Sequence, residues 1–209
     1  MNVYIFIYMI DFKYFGDIYF YSTFIDYSNV DFCPYKDYQR TLKLNRTRLM
    51  GANGPLLLTV PLVGGRAPKQ KIKDLQIGYT EPWQRIHWRG IHDNYRKAPW
   101  FDDYAPELEQ LFRLKEKYLL DLNLKTAEWC LRKLKVKIDI LSVDETTVIK
   151  NEATASTSSA EKQAPVFPVY QQVFADRHGF VPNLSILDLL LCEGPLATDY
   201  LRRINNSGT

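Results

Sequence analysis

The residues best suited to binding a charged substrate are concentrated in one part of the sequence. Between positions 36 and 73 there is one acidic residue, Asp37, although the formal net charge of the whole chain is only +3. The nine basic residues of this stretch are Lys36, Arg40, Lys43, Arg46, Arg48, Arg66, Lys69, Lys71 and Lys73. A focused positive region attracts phosphate or carboxylate ligands. The alternative is a solvated basic face without a ligand.

Arg46 has the most demanding position among these cations. We predict a strand over Arg40–Met50, in which residues two apart share a face. Arg46 then lies on the same face as Leu42 and Leu44, which are typical of a core. A guanidinium there needs a partner, either a protein carboxylate or a bound anion. Both alternatives remain open.

A second candidate lies on a predicted helix over Glu81–Lys97. Its residues at helical spacing on one face are Trp83, His87, Ile91, Asn94 and Tyr95. Because histidine changes its charge near neutral pH, His87 could act as a general acid or base. The alternative is a hydrogen-bonded core histidine.

Other kinds of site have no support in the sequence. The three histidines form no metal-ligand pattern, and the three cysteines have no redox or metal-ligand spacing. No phosphate-binding glycine loop, dinucleotide fingerprint or serine-hydrolase motif is present. We therefore predict no metal and leave the cofactor unknown. We expect no nucleic acid partner, no membrane span and a cytoplasmic location.

The elements that must position these residues predict an α/β fold. We expect a single domain with a mostly parallel central sheet, a β-hairpin around Asn53-Gly54 and flanking helices. Residues 1–141 are predicted to form the α/β core. Residues 142–165 are polar and without periodicity, which is typical of a flexible insertion. Residues 166–209 are predicted to form a helical segment on the same core, with Asn183 capping one helix.

Several motifs along the chain resemble those of the WbqC-like family. They are YFGDIYFYS (Tyr14–Ser22), YQR with NR (Tyr38–Arg40, Asn45–Arg46), GANG (Gly51–Gly54), LTVP (Leu58–Pro61), IKD (Ile72–Asp74), WQRIHW (Trp83–Trp88), YRKAPWF (Tyr95–Phe101), YQQVF (Tyr170–Phe174), HGFVPNLSILDLL (His178–Leu190) and EGP (Glu193–Pro195). The form found in Bacteroidota is the most similar. Other branches carry a histidine-containing motif after the first strand, where this chain reads FKYFG (Phe12–Gly16).

The resemblance implies a role in making surface polysaccharide of the O-antigen type, with acylation of an amino sugar as one reaction of that setting. Combined with the basic region, it gives the hypothesis of a transferase-like enzyme acting on a phosphorylated or nucleotide-linked sugar precursor. Arg46 and Lys73 would hold the anion, and His87 would be the base. Asn45, Asn53 and Tyr95 would contact the rest of the ligand. The alternative is a non-catalytic binding or scaffold protein of cell-envelope biogenesis.

Overall fold

A computed structural model of the chain describes residues 9–64, 70–144 and 165–206. The α-helices in these ranges are α1 (Ile18–Ser22), α2 (Trp83–Tyr95), α3 (Phe101–Arg113), α4 (Leu119–Lys133), α5 (Ala175–His178), α6 (Ile186–Glu193) and α7 (Ala197–Asn206). The strands are β1 (Asn29–Phe32), β2 (Arg46–Gly51), β3 (Gly54–Thr59) and β4 (Asp139–Ser142). Short 3-10 helices cover Arg40–Leu42, Ile72–Asp74 and Gly194–Leu196. No helix of the described part is long and apolar enough to cross a bilayer.

The predicted α/β class is confirmed by one parallel and one antiparallel pair of strands. Strand β1 pairs with β4 in parallel, from Asn29 opposite Asp139 to Phe32 opposite Ser142. On the other side of β1, Met9 forms a parallel bridge with Asp31. The β-branched and aromatic residues of Val3–Ile10 predict a first strand. That segment lies almost entirely outside the described residues.

The antiparallel hairpin has two chemically different faces. Strands β2 and β3 pair from Arg46 opposite Thr59 to Gly51 opposite Gly54, as the GANG sequence predicts. Gly54 has a φ of 117°, which favours glycine at that corner. One face packs on the core through Thr47, Leu49 and Leu58, which are all buried. The opposite face presents Arg46 and Arg48.

The prediction that Arg46 lies on the core face is therefore wrong. The strand does not start at position 40, because Arg40–Leu42 is a 3-10 helix that ends at Lys43 in the left-handed region, with φ 52°. A further turn follows at Leu44 and Asn45, closed by the Arg46 amide on the Lys43 carbonyl, and it breaks the alternation between Leu44, which is buried, and Arg46. Since side chains in a strand alternate, an error of one position in the pattern moves every residue to the other face.

Helix α2 confirms the predicted stripe for Trp83, His87, Ile91 and Tyr95, which are its buried residues, whereas Asn94 is half-buried. The helix packs on the hairpin, where a methyl group at Gly90 would lie 3.4 Å from Leu56. Glycine at position 90 thus permits the close approach of helix and strand.

The chain after residue 164 contributes to the hydrophobic core. Helix α6 is buried on all sides, and Ile186, Leu187, Leu189, Leu190 and Leu191 have no exposed surface. Its N-cap is Ser185 rather than the predicted Asn183, since the Ser185 hydroxyl accepts from the Leu187 amide. Asn183 instead fixes the first helix, because its side-chain oxygen accepts a hydrogen bond of 2.9 Å from the amide of Tyr19.

The segment predicted as a flexible insertion, residues 142–165, begins inside a strand. Ser142 belongs to β4, and the amide of Val143 donates to the carbonyl of Phe32 over 3.0 Å. The remainder of that segment, from residue 145 to 164, lies outside the described residues.

Candidate anion-binding site

An open cleft of about 550 Å³ lies against the outer face of the hairpin. Its wall consists of the turn before α1, the chain leading into β2, β2 itself, one residue of β3, and the entry to α6. The lining residues, which define the basic cleft, are Lys13, Asp17, Thr41, Leu42, Lys43, Arg46, Thr47, Arg48, Leu57, Asn183 and Ser185. The cleft therefore contains four cationic side chains and one carboxylate.

The single carboxylate of the cleft, that of Asp17, already has partners in the protein. One oxygen of Asp17 lies 3.1 Å from the ammonium group of Lys13, and the other accepts from the amide of Phe20 at the start of α1. Within the described part of the chain, Lys43, Arg46 and Arg48 form no ion pair with a carboxylate. Three cations therefore face the cleft without a protein counter-charge, which is a suitable setting for an anion.

The two arginines are held in place by different means. A terminal nitrogen of Arg48 lies 3.4 Å from each of the carbonyl oxygens of Pro182 and Asn183. The Nε atom of Arg46 is out of contact with solvent and has no hydrogen-bond partner in the described structure. Burying a donor without a partner is costly. An anion that accepts from this guanidinium would stabilise the arrangement.

The floor of the cleft is fixed around the carbonyl of Phe15. This oxygen accepts from the hydroxyl of Thr47 over 2.7 Å and from that of Ser185 over 3.0 Å. Phe15 has a φ of 40°, an uncommon conformation for a bulky residue. Because β2 and the entry to α6 both hold this carbonyl, the turn from Lys13 to Asp17 is kept at the edge of the cleft.

His87 lies elsewhere, on the helix that packs on the opposite face of the hairpin. It is 4% exposed, and its Nδ1 lies 3.1 Å from the hydroxyl of Tyr14. Burial lowers the pKa of His87 to about 4, and a hydrogen bond to the backbone of Thr59 opposes this only in part. The ring is therefore neutral at physiological pH. His87 is not among the residues that line the basic cleft.

Tyr95 is part of a buried polar network. Its hydroxyl donates to Asp188 over 2.6 Å and accepts from the amide of Met50 over 3.1 Å. The other oxygen of Asp188 accepts from Tyr170. Burial raises the pKa of Asp188, and the hydrogen bonds from Tyr170, Tyr95 and Gln172 oppose that rise. The network joins α2, β2, α6 and the chain before α5.

The other residues singled out from the sequence also lie apart from the basic cleft. Asn45 is buried and donates to the carbonyl of Val60 over 2.8 Å. Asn53 is exposed at the tip of the hairpin. Lys73 is paired with Asp74 at 3.2 Å and lies over the ring of Tyr35. Of the six residues proposed from the sequence, the structure places Arg46 alone in the cleft.

Lys13, Asp17, Asn183 and Ser185 were not singled out from the sequence as site residues. They are distant from the basic stretch, so charge density gave no signal for them. A signal did exist in the motifs, since Asp17 lies in YFGDIYFYS and both Asn183 and Ser185 lie in HGFVPNLSILDLL. No group of three or more metal-ligating side chains occurs in the described ranges.

Comparison with known proteins gives a family match and one relative of undefined role. The model of the WbqC-like protein family matches residues 11–164. An uncharacterized protein of Mycobacterium tuberculosis, Rv1507c, is 28% identical across 82% of this chain and 87% of its own length. No solved structure matches.

Proposed function

The chain belongs to the WbqC-like protein family, and from this premise we propose that it takes part in surface-polysaccharide biosynthesis of the O-antigen type, or in cell-envelope biosynthesis. Its role there is that of a transferase-like protein acting in the cytoplasm. The substrate is a sugar precursor that carries phosphate, bound in the basic cleft.

The observation that carries the proposal is the set of three cations without a counter-charge. Lys43, Arg46 and Arg48 line one cleft, and no described carboxylate pairs with any of them. A volume of about 550 Å³ suits a small organic ligand, for which pockets of roughly 300–1,000 Å³ are usual. The hydroxyl and amide groups of Thr41 and Asn183 supply polar contacts of the kind that a sugar uses.

A thermal-shift screen tests this proposal. We expect phosphate and sulfate to raise the melting temperature more than chloride at equal ionic strength, and phosphorylated or nucleotide-linked sugars to raise it further. A ligand at 100 times its dissociation constant adds about 2.7 kcal/mol to the free energy of unfolding. The substitution Arg46→Ala should remove the shift.

The matched control is Arg85→Ala. Arg85 is exposed on α2, the helix that packs on the other face of the hairpin. The substitution makes the same change in net charge outside the cleft, so the ligand-induced shift should remain. If Arg85→Ala reduces the shift as much as Arg46→Ala does, the effect is one of net charge, and the proposal is wrong.

The second candidate is a non-catalytic binding or scaffold protein that uses the same cleft. It is favoured by the absence of a free general base among the cleft residues of the described structure, because Asp17 is bound by Lys13 and by the start of α1. The proposed base, His87, is buried outside the cleft. Turnover of a bound sugar precursor would show that the protein is an enzyme. Binding without turnover would support the non-catalytic candidate.

A further inference from the structure

Arg46 and Arg48 differ from the other cations of the basic cleft in their regular spacing. They are two residues apart on one strand, so their Cα atoms are separated by roughly 6.6 Å and their side chains leave the same face. Each guanidinium carries five N–H donors in a planar fork that matches two oxygens of one phosphoryl group. The pair thus offers two neighbouring forks.

The surroundings of the pair leave these donors available. Arg48 uses one terminal nitrogen on the carbonyls of Pro182 and Asn183, which orients its guanidinium without neutralising it. Arg46 has a buried Nε without a partner in the described structure. Lys43 provides a third positive charge near the pair. A tight turn holds it there, because the amide of Arg46 donates to the carbonyl of Lys43 over 3.3 Å.

The remaining lining shows what else the cleft can recognise. Its apolar side chains are Leu42 and Leu57, and Leu57 lies directly across from Arg48 in the hairpin register. No aromatic side chain is among the residues that line the cleft in the described structure. Nucleobases commonly stack on aromatic rings, so the described lining of the cleft cannot recognise a base by stacking.

We propose that the basic cleft is a diphosphate site, in which Arg46 and Arg48 each hold one of two linked phosphoryl groups and the base or sugar attached to them is not selected by stacking. This deepens the proposed function and rests on it. Lys43 supplies the third positive charge, and Leu42 and Leu57 contact the attached group without regard to its identity.

Isothermal titration with four probes tests the inference: inorganic pyrophosphate, orthophosphate, uridine diphosphate and adenosine diphosphate. The buffer has fixed ionic strength and no divalent cation, because these cations bind pyrophosphate. We expect pyrophosphate and both nucleotides to bind within about threefold of one another, and at least about tenfold more tightly than orthophosphate, which corresponds to about 1.4 kcal/mol.

Three variants test whether the preference for pyrophosphate over orthophosphate depends on Arg46 and Arg48. Arg46→Ala and Arg48→Ala should each abolish most of the preference for pyrophosphate over orthophosphate. Arg46→Lys keeps the charge but loses the fork, so it should weaken pyrophosphate more than orthophosphate. As a control, Arg85→Ala should bind all four probes like the wild type. Circular dichroism of each variant checks that it is folded.

The outcomes separate the inference from the proposed function. Equal affinity for orthophosphate and pyrophosphate, with both sensitive to Arg46→Ala, overturns the diphosphate assignment and leaves an anion site intact. A preference of more than about tenfold between the uridine and adenosine nucleotides overturns the claim about the base. Pyrophosphate binding that Arg46→Ala does not alter, or no binding of any probe, overturns both proposals.

Discussion

His87 is a histidine whose surroundings hold it neutral. Its ring is 4% exposed and lies between Trp83 and Tyr14, with ring centroids 5.1 and 5.8 Å away. Burial disfavours the charged form, so the pKa falls from 6.5 to about 4. A catalytic role for His87 stays a prediction without a test. The geometry favours the alternative, a hydrogen-bonded core residue.

The lowered pKa predicts how stability depends on pH. Between pH 6.5 and about 4 the unfolded chain binds a proton at His87 and the folded chain does not. The neutral, buried imidazole of His87 therefore makes its full contribution to the free energy of unfolding above pH 6.5. That contribution is lost as the pH falls towards 4. The loss amounts to about 3 kcal/mol. Urea unfolding of the wild type and of His87→Gln at pH 7 and pH 4 measures it.

The variant His87→Gln should cost about 1–3 kcal/mol at pH 7, because Tyr14 and the backbone of Thr59 lose a well-fitting partner. Since glutamine does not titrate, the difference from the wild type should shrink as the pH falls. Parallel stability curves for the two proteins would show that His87 has the same pKa in the folded and unfolded states, and that its assignment as a core residue held neutral by burial is wrong.

Single residues also show what the sequence could predict. The spacing of Trp83, His87 and Ile91 placed them on one buried face, because a helix has a fixed period and a wide apolar stripe. The face of Arg46 could not be predicted in the same way. Leu44 and Leu49 are both buried although they are five residues apart. The turn at Leu44 and Asn45, closed by the hydrogen bond from the Arg46 amide to the Lys43 carbonyl, separates their two patterns. It follows a left-handed residue, Lys43, and lysine gives no sequence signal for that conformation.

Among the elements, the turn before α1 depends on contacts from distant parts of the chain. The Phe15 carbonyl accepts hydroxyl groups from β2 and from the N-cap of α6. The turn carries Lys13 and Asp17 into the basic cleft. The sequence predicted the helices and the hairpin, but it gave no indication that these elements meet at one strained residue.

Removing one of these hydroxyl groups should affect both stability and binding. Thr47→Val keeps the shape of the side chain but leaves the Phe15 carbonyl with one donor, which should cost about 1–2 kcal/mol. If the turn positions Lys13, the affinity for pyrophosphate should also fall several-fold. Chemical unfolding and titration of the same variant measure the two effects.

The matched control is Thr198→Val, at the start of α7. The hydroxyl of Thr198 also donates to a backbone carbonyl, that of Leu134, but Thr198 does not line the cleft. We expect a loss of stability of the same order and no change in affinity. If Thr47→Val likewise leaves the affinity unchanged, the hydrogen bond to Phe15 stabilises the fold without positioning the cleft.

For the molecule as a whole, the basic cleft joins parts of the chain that are far apart in sequence. Arg46 and Arg48 come from the basic stretch, whereas Lys13 precedes it and Asn183 lies beyond the family match, which ends at residue 164. Charge density along the sequence could identify the first pair, because the two residues are neighbours. It could not identify the others, since their place in the cleft results from tertiary packing.

The chain after residue 164 should be indispensable for folding. Helix α6 places five fully buried aliphatic side chains in the core, and Asp188 accepts hydrogen bonds from Tyr95 and Tyr170. Burying one such aliphatic side chain stabilises a fold by about 1.5–3 kcal/mol, so the loss of five is as large as the total stability of a typical domain. A chain ending at residue 164 should therefore fail to unfold cooperatively in calorimetry.

The contrasting variant replaces residues 145–164 with a short glycine–serine linker. This sequence is polar and lacks the apolar content that offsets an ordering entropy of roughly 1–2 kcal/mol per residue. The replacement keeps Ser142 and Val143, which pair with β1, and should leave the melting temperature almost unchanged. If the linker variant is as unstable as the truncated chain, the replaced residues are part of the folded core and their interpretation as an insertion is wrong.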